Sequence, residues 1–364
     1  MTRIAYGICS EGMGHATRSQ VVIDHLLSKG HEVHIFTSDR AYEFFEKQGY
    51  QNIHEIRGFH LVYQKDALRN MHSMFKTLRE IPEKIPAFRI IAQAFKDICP
   101  QIVISDFEVF TAFLGSTIRV PVISANNISI LDHTKLDATS VKHVYPKLFA
   151  LTTSQLSTLS ADMYVIPTYF FPKPKGKKVF LTDPPIRQAI RDAETSTKDH
   201  VLVYQTSSTC LGLLKVLNRL DEKFIVYGFG KRKKRKHLTF YDFSTTRFVK
   251  HLASAKAVII GGGFSLLSEA LFLKKPVMSV PLRRHFEQIV NAYYLEKCKF
   301  GEYHQQPDET DVRDFLLKLP LYEHYLRDYS PDPMQFARRI EQLVRKHAKE
   351  PAQYMLKMLS RFMP

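Results

Sequence analysis

The sequence predicts an α/β protein with two Rossmann-like domains. Short apolar runs that indicate buried strands alternate with stretches of helical apolar spacing, a pattern typical of parallel sheets covered by helices. A length of 364 residues suggests two domains rather than one, and 45% hydrophobic residues are enough for two cores. The two clearest strand–turn–helix units lie in different halves of the chain, so each half has a candidate ligand site.

The clearest of these units lies in the C-terminal half and contains three consecutive glycines. The apolar strand Val258–Ile260 precedes Gly261–Gly263, which let the backbone turn tightly and approach a ligand. Ser265 begins a helix whose first N–H groups form an anion site. Glu269 follows one turn later, where its carboxylate can accept hydrogen bonds from two ribose hydroxyls. The unit predicts a nucleotide-sugar site formed by Gly262, Gly263, Phe264, Ser265 and Glu269.

Further polar residues follow in the segment Arg283–Ala292, which contains Gln288 and Asn291. With the glycine turn and Glu269, this segment resembles the donor-binding domain of GT-B glycosyltransferases, in the branch of bacterial lipid II N-acetylglucosaminyltransferase and plant monogalactosyldiacylglycerol synthase. The resemblance implies two Rossmann-like domains with parallel sheets facing across a cleft. It also implies that Gln288 and Asn291 contact the donor sugar. The alternative is an ordinary strand–helix–strand unit whose glycines serve only the turn.

The same resemblance implies features of the chemistry. Retaining GT-B enzymes have a second Glu at the position that Gly261 occupies here, so the resemblance favours an inverting enzyme. Most of the branch uses UDP-sugars, although the sequence does not exclude GDP or dTDP. GT-B enzymes neutralise the leaving diphosphate with helix N-termini and side chains. We therefore expect a nucleotide-sugar co-substrate, no cofactor and no metal.

The N-terminal half begins with a similar unit. The apolar strand Arg3–Cys9 is followed by the turn Ser10–His15 and by helical spacing over Ala16–Lys29. GT-B enzymes of the same branch have Gly-x-Gly-His or Gly-Gly-His in this loop, so the resemblance places Gly14 at the donor and His15 between donor and acceptor. Histidine also suits a base that works near neutral pH. The alternative for His15 is a residue that caps or packs at a helix start.

Two charged residues are candidates beside His15. Asp106 follows the apolar strand Gln101–Ser105, at the strand end that faces the ligand crevice in such sheets. In the similar plant UDP-glucosyltransferases an Asp at this strand end orients the loop His, so His15 and Asp106 are predicted to be a catalytic dyad; the alternative for Asp106 is a helix N-cap. Arg18 lies in the first helical turn, where a cation opposes the helix dipole. We expect Arg18 to bind a phosphate or an acidic acceptor group, or else to be a solvated surface residue.

A further phosphate candidate lies at the start of the second half. His200–Tyr204 indicates a strand. Relatives have a Gly/Ser-rich turn after this strand that meets the donor diphosphate, and Thr206 and Ser207 are the corresponding residues here. This turn has no glycine before Gly212, so the match is weaker than that of the other two units.

The domain boundary is predicted in a stretch rich in Pro and Lys, Pro167–Lys178. The predicted domains are an N-terminal acceptor-binding domain over 1–172 and a C-terminal donor-binding domain over 173–335. Helices over 336–364 are expected to return to the N-terminal domain.

The cysteines and the apolar segments indicate a cytoplasmic protein. The four cysteines are scattered without metal-ligand spacing, which suits a reducing compartment: Cys9, Cys99, Cys210 and Cys298. The first residues lack the apolar core of a signal peptide, and the chain contains no apolar run long enough for a membrane span.

The net charge of +16 requires a partner or a reason. The run Lys231–Lys236 is expected in a strand–helix loop. The first interpretation is a solvated loop, the second is a contact with an anionic membrane, and the third is a contact with nucleic acid. Basic amphipathic spacing over Leu68–Ile98 and in the tail predicts peripheral binding at the cytoplasmic face of a membrane, with a lipid-linked acceptor. The tail stripe is Met355, Met358, Leu359, Phe362 and Met363. Packing of both segments on the N-terminal domain is the alternative.

The sequence thus predicts an inverting glycosyltransferase that transfers a hexosyl or N-acetylhexosaminyl group from a UDP-sugar to an acceptor hydroxyl. One alternative is a non-hydrolysing UDP-sugar 2-epimerase, which shares the architecture but needs acidic catalytic residues and no acceptor. The other is a non-enzymatic basic protein that binds nucleotide or nucleic acid, although no nucleic-acid module accompanies the basic run.

Overall fold

The computed structural model describes residues 1–10, 12–56, 86–137, 161–205, 211–230, 232–233, 235–282, 285–350 and 359. Two sheets of parallel strands, of seven and six strands, dominate this part of the chain, and helices lie between most of the successive strands. The prediction of an α/β protein with two Rossmann-like parts is confirmed. Thr206 and Ser207 lie outside the described residues.

The strands are short and rich in Val and Ile, as expected for strands buried on both faces. They are β1 Arg3–Ile8, β2 Glu32–Thr37, β3 Ile53–Glu55, β4 Ile102–Asp106, β5 Val122–Ala125, β6 Thr134–Lys135, β7 Met163–Pro167, β8 Lys173–Pro174, β9 Val179–Thr182, β10 Val201–Tyr204, β11 Phe224–Tyr227, β12 Leu238–Phe240, β13 Ala257–Ile260, β14 Val277–Ser279 and β15 Gly301–Tyr303.

The helices lie between most of these strands. They are α1 Met13–Ser28, α2 Asp39–Lys47, α3 Pro86–Ile98, α4 Val109–Thr117, α5 Ile130–His133, α6 Gln188–Arg191, α7 Leu211–Leu217, α8 Thr245–Ser254, α9 Phe264–Phe272, α10 Phe286–Lys297, α11 Glu309–Leu317, α12 Leu319–Arg327 and α13 Gln335–His347.

The first sheet has the order β3-β2-β1-β4-β5-β7-β9, and all its pairings are parallel. Strands β1 and β4 are neighbours although the chain visits β2 and β3 between them. The order of strands therefore reverses between β1 and β4, which is the switch point where open α/β sheets bind ligands. A two-stranded antiparallel pair, β6 with β8, accompanies this sheet.

The second sheet has the order β12-β11-β10-β13-β14-β15 and is also parallel throughout. Its switch point lies between β10 and β13. The glycine turn follows β13 directly, so the sheet places this turn where a ligand is expected.

The cores follow from the alternation of side chains along the strands. On β1, Ile4 and Tyr6 join one apolar cluster, which also contains Leu26 of α1 and Phe336 of α13. Ala5 points to the other face and joins a second cluster with residues of α3 and α4. Helices α1 and α13 therefore cover one face of the first sheet, and α3 and α4 cover the other.

By contacts, the chain divides into two compact units. The first unit holds the described residues of Met1–Lys135, Leu148–Pro185 and Met334–Pro364, and the second holds those of Leu136–Lys147 and Ile186–Pro333. The predicted boundary at 172 falls too early, because β9 lies beyond it and pairs with β7 in the first sheet. The acceptor and donor roles assigned to the two parts stay predictions.

The amphipathic segments lie largely outside the described residues, at 68–85, 351–358 and 360–364. Most of the apolar residues that are described pack in the core of the first unit, whereas Ile90 of the same segment is exposed. Phe88, Ile91 and Phe95 of α3 are buried there, and Leu359 is buried in the same cluster. These four side chains therefore follow the packing alternative rather than a membrane contact.

The basic run lies between β11 and β12, which are parallel neighbours in the second sheet. The prediction of a strand–helix loop is wrong here because Leu238–Phe240 forms an edge strand before the next helix begins. Lys231 and Lys234 lie outside the described residues.

Candidate active site

The first unit brings His15 and Asp106 together at its switch point. Asp106 is the last residue of β4, and β4 pairs with β1 so that Asp106 is opposite Ile8. The chain leaves β1 at Ile8 and begins α1 at Met13, which carries His15 back over the end of β4. Nδ1 of His15 lies 2.9 Å from Oδ1 of Asp106. The residues of the predicted dyad are thus in hydrogen-bond contact.

Helix α1 begins earlier than the sequence predicted. Gly12 has φ +81°, a conformation that favours glycine, and it allows the helix to start at Met13 instead of Ala16. Gly14 and His15 are therefore in the first helical turn rather than in a loop. Arg18 follows His15 by three positions and Ser19 by four, so all three share one face of α1.

Arg18 is not a solvated surface residue. It is 6% exposed, its Nε donates to Oδ2 of Asp106 at 2.7 Å, and its Nη2 donates to Oδ1 of the same carboxylate. The anion that compensates this cation in the helix is thus a side chain of the protein itself. Ser19 Oγ also donates to Oδ2 of Asp106, at 3.0 Å. The role of Arg18 toward a phosphate or an acidic acceptor stays a prediction.

Asp106 is fully buried, yet it is ionised. Burial by itself raises the pKa of a carboxyl, but the charge of Arg18 and the contact with His15 outweigh it and lower the pKa of Asp106 to about 2. Tyr6 on β1 is also buried, and desolvation together with the charge of Asp106 raises the pKa of its hydroxyl. The carboxylate is therefore a permanent acceptor at any physiological pH.

The N-cap alternative for Asp106 is wrong. The N-cap of α4 is Glu108, whose carboxylate accepts from the backbone N–H groups of Phe110 at 2.8 Å and Thr111 at 2.7 Å. Phe107 turns the chain between strand and helix with φ +61°, and its ring stacks on that of His15 with 6.1 Å between centroids. Asp106 is left to face α1.

The glycine turn of the second unit is tightly packed on one side and open on the other. Gly262 has φ +80°, and a Cβ there would lie 2.7 Å from Oγ of Ser279 and 2.9 Å from the carbonyl oxygen of Gln288. Gly263 is the N-cap of α9, and among the described residues a Cβ there would meet no atom within 4 Å. The same residues supply no side-chain cap to the first turn of α9, and the anion site predicted at its N–H groups stays a prediction.

The helix begins at Phe264 rather than at Ser265. The side chain of Phe264 is buried, so only its backbone can serve an anion at this point. Ser265 is partly exposed on the first turn.

Glu269 has a protein partner that the sequence did not identify. Its carboxylate accepts from Nε of Arg187 at 2.6 Å and from Nη2 of Arg187 at 3.0 Å, a two-pronged ion pair between a partly buried arginine and a buried carboxylate. Gln288 and Asn291 also have partners within the unit. Oε1 of Gln288 accepts from the N–H of Leu282 at 3.0 Å, and Nδ2 of Asn291 donates to the carbonyl of Gly262 at 3.1 Å. These two residues hold the segments around the glycine turn, and their contacts with a sugar stay predictions.

Other polar residues at the strand ends escaped the sequence analysis. Gln205 follows β10, and its buried Oε1 has no hydrogen-bond partner among the described residues. This oxygen lies 3.0 Å from where a Cβ on Gly261 would lie. Asn126 and Asn127 follow β5 and are fully buried. The available signal was a polar residue directly after an apolar strand, the same signal that identified Asp106.

Within the described residues, no group of three or more His, Cys, Asp or Glu side chains is placed to hold a metal ion. None of the described helices is long and apolar enough to cross a membrane. The expectation of metal-independent chemistry stays a prediction.

The chain matches the family described as "Glycosyl transferase family 1" over residues 2–320. An uncharacterised glycosyltransferase of Methanosarcina acetivorans is 24% identical over 82% of this chain and 84% of its own length. A UDP-N-acetylglucosamine–N-acetylmuramyl-(pentapeptide) pyrophosphoryl-undecaprenol N-acetylglucosamine transferase of Clostridium botulinum is 24% identical over 92% of this chain and 97% of its own.

Solved structures share the fold. The spinosyn forosaminyltransferase SpnP superposes with a TM-score of 0.66 at 13% identity, over 94% of this chain and 99% of its own. The glycosyltransferase VinC, solved with dTDP, superposes with a TM-score of 0.59 at 14% identity, over 94% and 98% of the two chains. The predicted GT-B fold is confirmed by these likenesses.

Proposed function

Because the chain belongs to glycosyl transferase family 1, its activity is glycosyl transfer, and we propose that it transfers a sugar from a nucleoside diphosphate sugar to an acceptor hydroxyl with inversion. The observation that carries this proposal is the contact of 2.9 Å between His15 Nδ1 and Asp106 Oδ1 beside the switch point of the first sheet. A histidine oriented by a buried carboxylate is the arrangement that a general base requires.

In this mechanism Nε2 of His15 accepts the proton of the acceptor hydroxyl while that oxygen bonds to the anomeric carbon. The bond from the anomeric carbon to the diphosphate oxygen breaks, and its electron pair leaves with the nucleoside diphosphate. A single displacement from the opposite face inverts the configuration. Asp106 orients the ring through Nδ1 and stabilises the imidazolium that forms.

The donor half of the proposal uses residues of the second unit. The N–H groups at Gly263 and the start of α9 stabilise the departing diphosphate, with Thr206 and Ser207 as further contacts. Glu269 binds the ribose. A carboxylate has about four acceptor positions, so Glu269 can accept from ribose hydroxyls while Arg187 holds it. In this scheme the donor diphosphate needs no metal.

UDP is the proposed nucleotide, and a hexosyl or N-acetylhexosaminyl group is the sugar that we propose is transferred. The names of the clostridial relatives specify UDP-N-acetylglucosamine, whereas VinC was solved with dTDP. Sequence similarity along 92% of the chain is a stronger guide to the donor than a likeness of fold.

A thermal-shift panel of UDP, GDP, dTDP and their sugars tests the donor. A ligand that binds only the folded protein raises its stability by RT ln(1 + [L]/Kd), so UDP and a UDP-sugar should give the largest shifts. The variant Glu269→Gln should lose most of this shift, while Glu194→Gln, the same change at an exposed residue, should keep it. A full UDP shift in Glu269→Gln would place the ribose elsewhere, and a dTDP shift larger than that of UDP would change the nucleotide.

We also propose a lipid-linked acceptor and peripheral binding at the cytoplasmic face of a membrane. The support is the net charge of +16 and the similarity to enzymes whose name specifies an undecaprenol-linked acceptor. The protein should co-sediment with vesicles containing phosphatidylserine, less so as salt rises, and not with phosphatidylcholine vesicles. Failure to bind phosphatidylserine vesicles at low salt would favour a soluble acceptor.

A further inference from the structure

Arg18 is part of the same buried cluster as the proposed base. Its guanidinium uses two nitrogens on the two oxygens of Asp106, a planar match that fixes the orientation of the carboxylate. The side chains of Arg18 and Asp106 are 5% and 1% exposed, so solvent screens their attraction little. The orientation of Asp106, and through it that of His15, therefore depends on Arg18.

The cluster gives Nδ1 of His15 two competing neighbours. Oδ1 of Asp106 lies at 2.9 Å and can only accept, whereas Nη2 of Arg18 lies at 2.7 Å and can only donate. If Nδ1 carries the proton, it donates to Asp106 and leaves Nε2 free to act as a base. If Nδ1 is bare, it accepts from Arg18 and the proton is on Nε2, which then cannot take another. The balance between these two bonds decides which tautomer is present.

We propose that Arg18 is a positioning residue that holds Asp106 by both oxygens, so that Oδ1 accepts from Nδ1 of His15 and Nε2 is left free to act as a base. This inference rests on the proposed role of His15 as base. It differs from the expectation that Arg18 binds an anionic group of the acceptor, because here the guanidinium acts on Asp106.

The test is the tautomer of the His15 ring, read from its ¹⁵N shifts by NMR in protein labelled with ¹⁵N-histidine and without any substrate. The His15→Ala variant identifies the resonances. In Arg18→Lys the cation is kept, but an ammonium cannot hold both carboxylate oxygens in the planar geometry of a guanidinium, so the share of the tautomer with the proton on Nδ1 should fall. Arg313→Lys, the same change at an exposed residue of α11, should leave the ¹⁵N shifts of His15 as they are in the wild type.

Arg18→Gln provides the second measurement. It removes both bonds to Asp106 together with the charge, which leaves Asp106 buried without its cation and is a risk to folding. In folded Arg18→Gln the ¹⁵N shifts of His15 should also show a changed mixture of tautomers. Unchanged ¹⁵N shifts of His15 in Arg18→Lys would overturn the proposal.

An anion site at Arg18 predicts a different pattern. Inorganic phosphate would then stabilise the wild type but not Arg18→Lys or Arg18→Gln, with the ¹⁵N shifts of His15 the same in all proteins. That result would also overturn the proposal. The NMR measurement needs no turnover, so a failure of the proposed transfer reaction would appear separately, as absence of a nucleotide-induced thermal shift in the wild-type protein.

Discussion

Asp106 connects parts of the sequence that lie far apart. Its carboxylate accepts from Arg18, which is 88 positions away, and from Ser19, and it contacts the ring of His15. A buried charge whose partner is removed costs several kcal/mol, about 3–5 in measured cases. The change Asp106→Asn preserves the shape of the side chain and is therefore a better probe of function than alanine.

The dyad makes a prediction about two single variants and their combination. His15→Ala should lower the rate of sugar transfer about a hundredfold or more, the usual contribution of a general base. Asp106→Asn should lower it by a smaller factor, because Arg18 then becomes the stronger partner of Nδ1 and favours the proton on Nε2. The double variant should be no slower than His15→Ala, since Asp106 acts through His15.

The measurement is the release of nucleoside diphosphate from the donor sugar in the presence of acceptor. His324→Ala, at an exposed residue of α12, should keep the wild-type rate. Losses that multiply in the double variant would show that Asp106 acts independently of His15.

At the scale of elements, the turn between β13 and α9 combines a packing requirement with a ligand requirement. Gly262 is confined by Ser279 and by the backbone of Gln288, whereas Gly263 has open space before it. Adjacent glycines thus serve different purposes. The first allows the turn to form, and the second leaves room for a group to approach the helix N-terminus.

Substitution by alanine separates these purposes. Gly262→Ala should lower the free energy of unfolding by about 2 kcal/mol, because the new Cβ is strained at positive φ and crowds its neighbours. Gly263→Ala should cost at most about 1 kcal/mol, the scale of an N-cap change, yet weaken UDP binding. Urea unfolding and UDP titration measure the two effects. Equal stability losses in both variants would contradict this division.

At the scale of the whole molecule, buried histidines make stability depend on pH. Burial lowers the pKa of six described histidines, and for two of them, His54 and His251, it lowers the pKa to about 4. The six are His25, His31, His54, His133, His200 and His251. In each case the folded protein binds a proton less readily than the unfolded chain does.

The sign of the effect follows from this difference. Above about pH 6.5 these rings are neutral in both the unfolded chain and the folded protein. Between about 6.5 and 4 the unfolded chain takes up protons at His54 and His251 that the folded protein does not, and the other four rings act in the same direction. The free energy of unfolding should therefore fall as the pH is lowered from 6.5 to 4. Urea denaturation across this range measures it. In His54→Gln the free energy of unfolding should depend less steeply on pH, whereas in His324→Gln it should depend on pH as in the wild type. A free energy of unfolding that is independent of pH in this range would contradict the prediction.

The sequence by itself determined the class of fold and the location of both turns. Alternation of apolar strands and helical spacing is a local pattern, as are Gly261–Gly263 before α9 and the Gly-His pair before Arg18. These features are visible because each depends on residues within one or two turns of one another. The start of α1 was misplaced because the positive φ of Gly12, which starts the helix, is not visible in a periodicity.

Tertiary structure decided which partners these residues have. Arg18 pairs with Asp106 because β1 and β4 become neighbours only when the sheet forms, and Glu269 meets Arg187, 82 positions away, for a similar reason. The sequence identified both carboxylates, and Arg18 as well, but it did not identify either ion pair. Pairing between buried charges is set by which strands and helices pack together, and that order is a property of the whole sheet rather than of any segment.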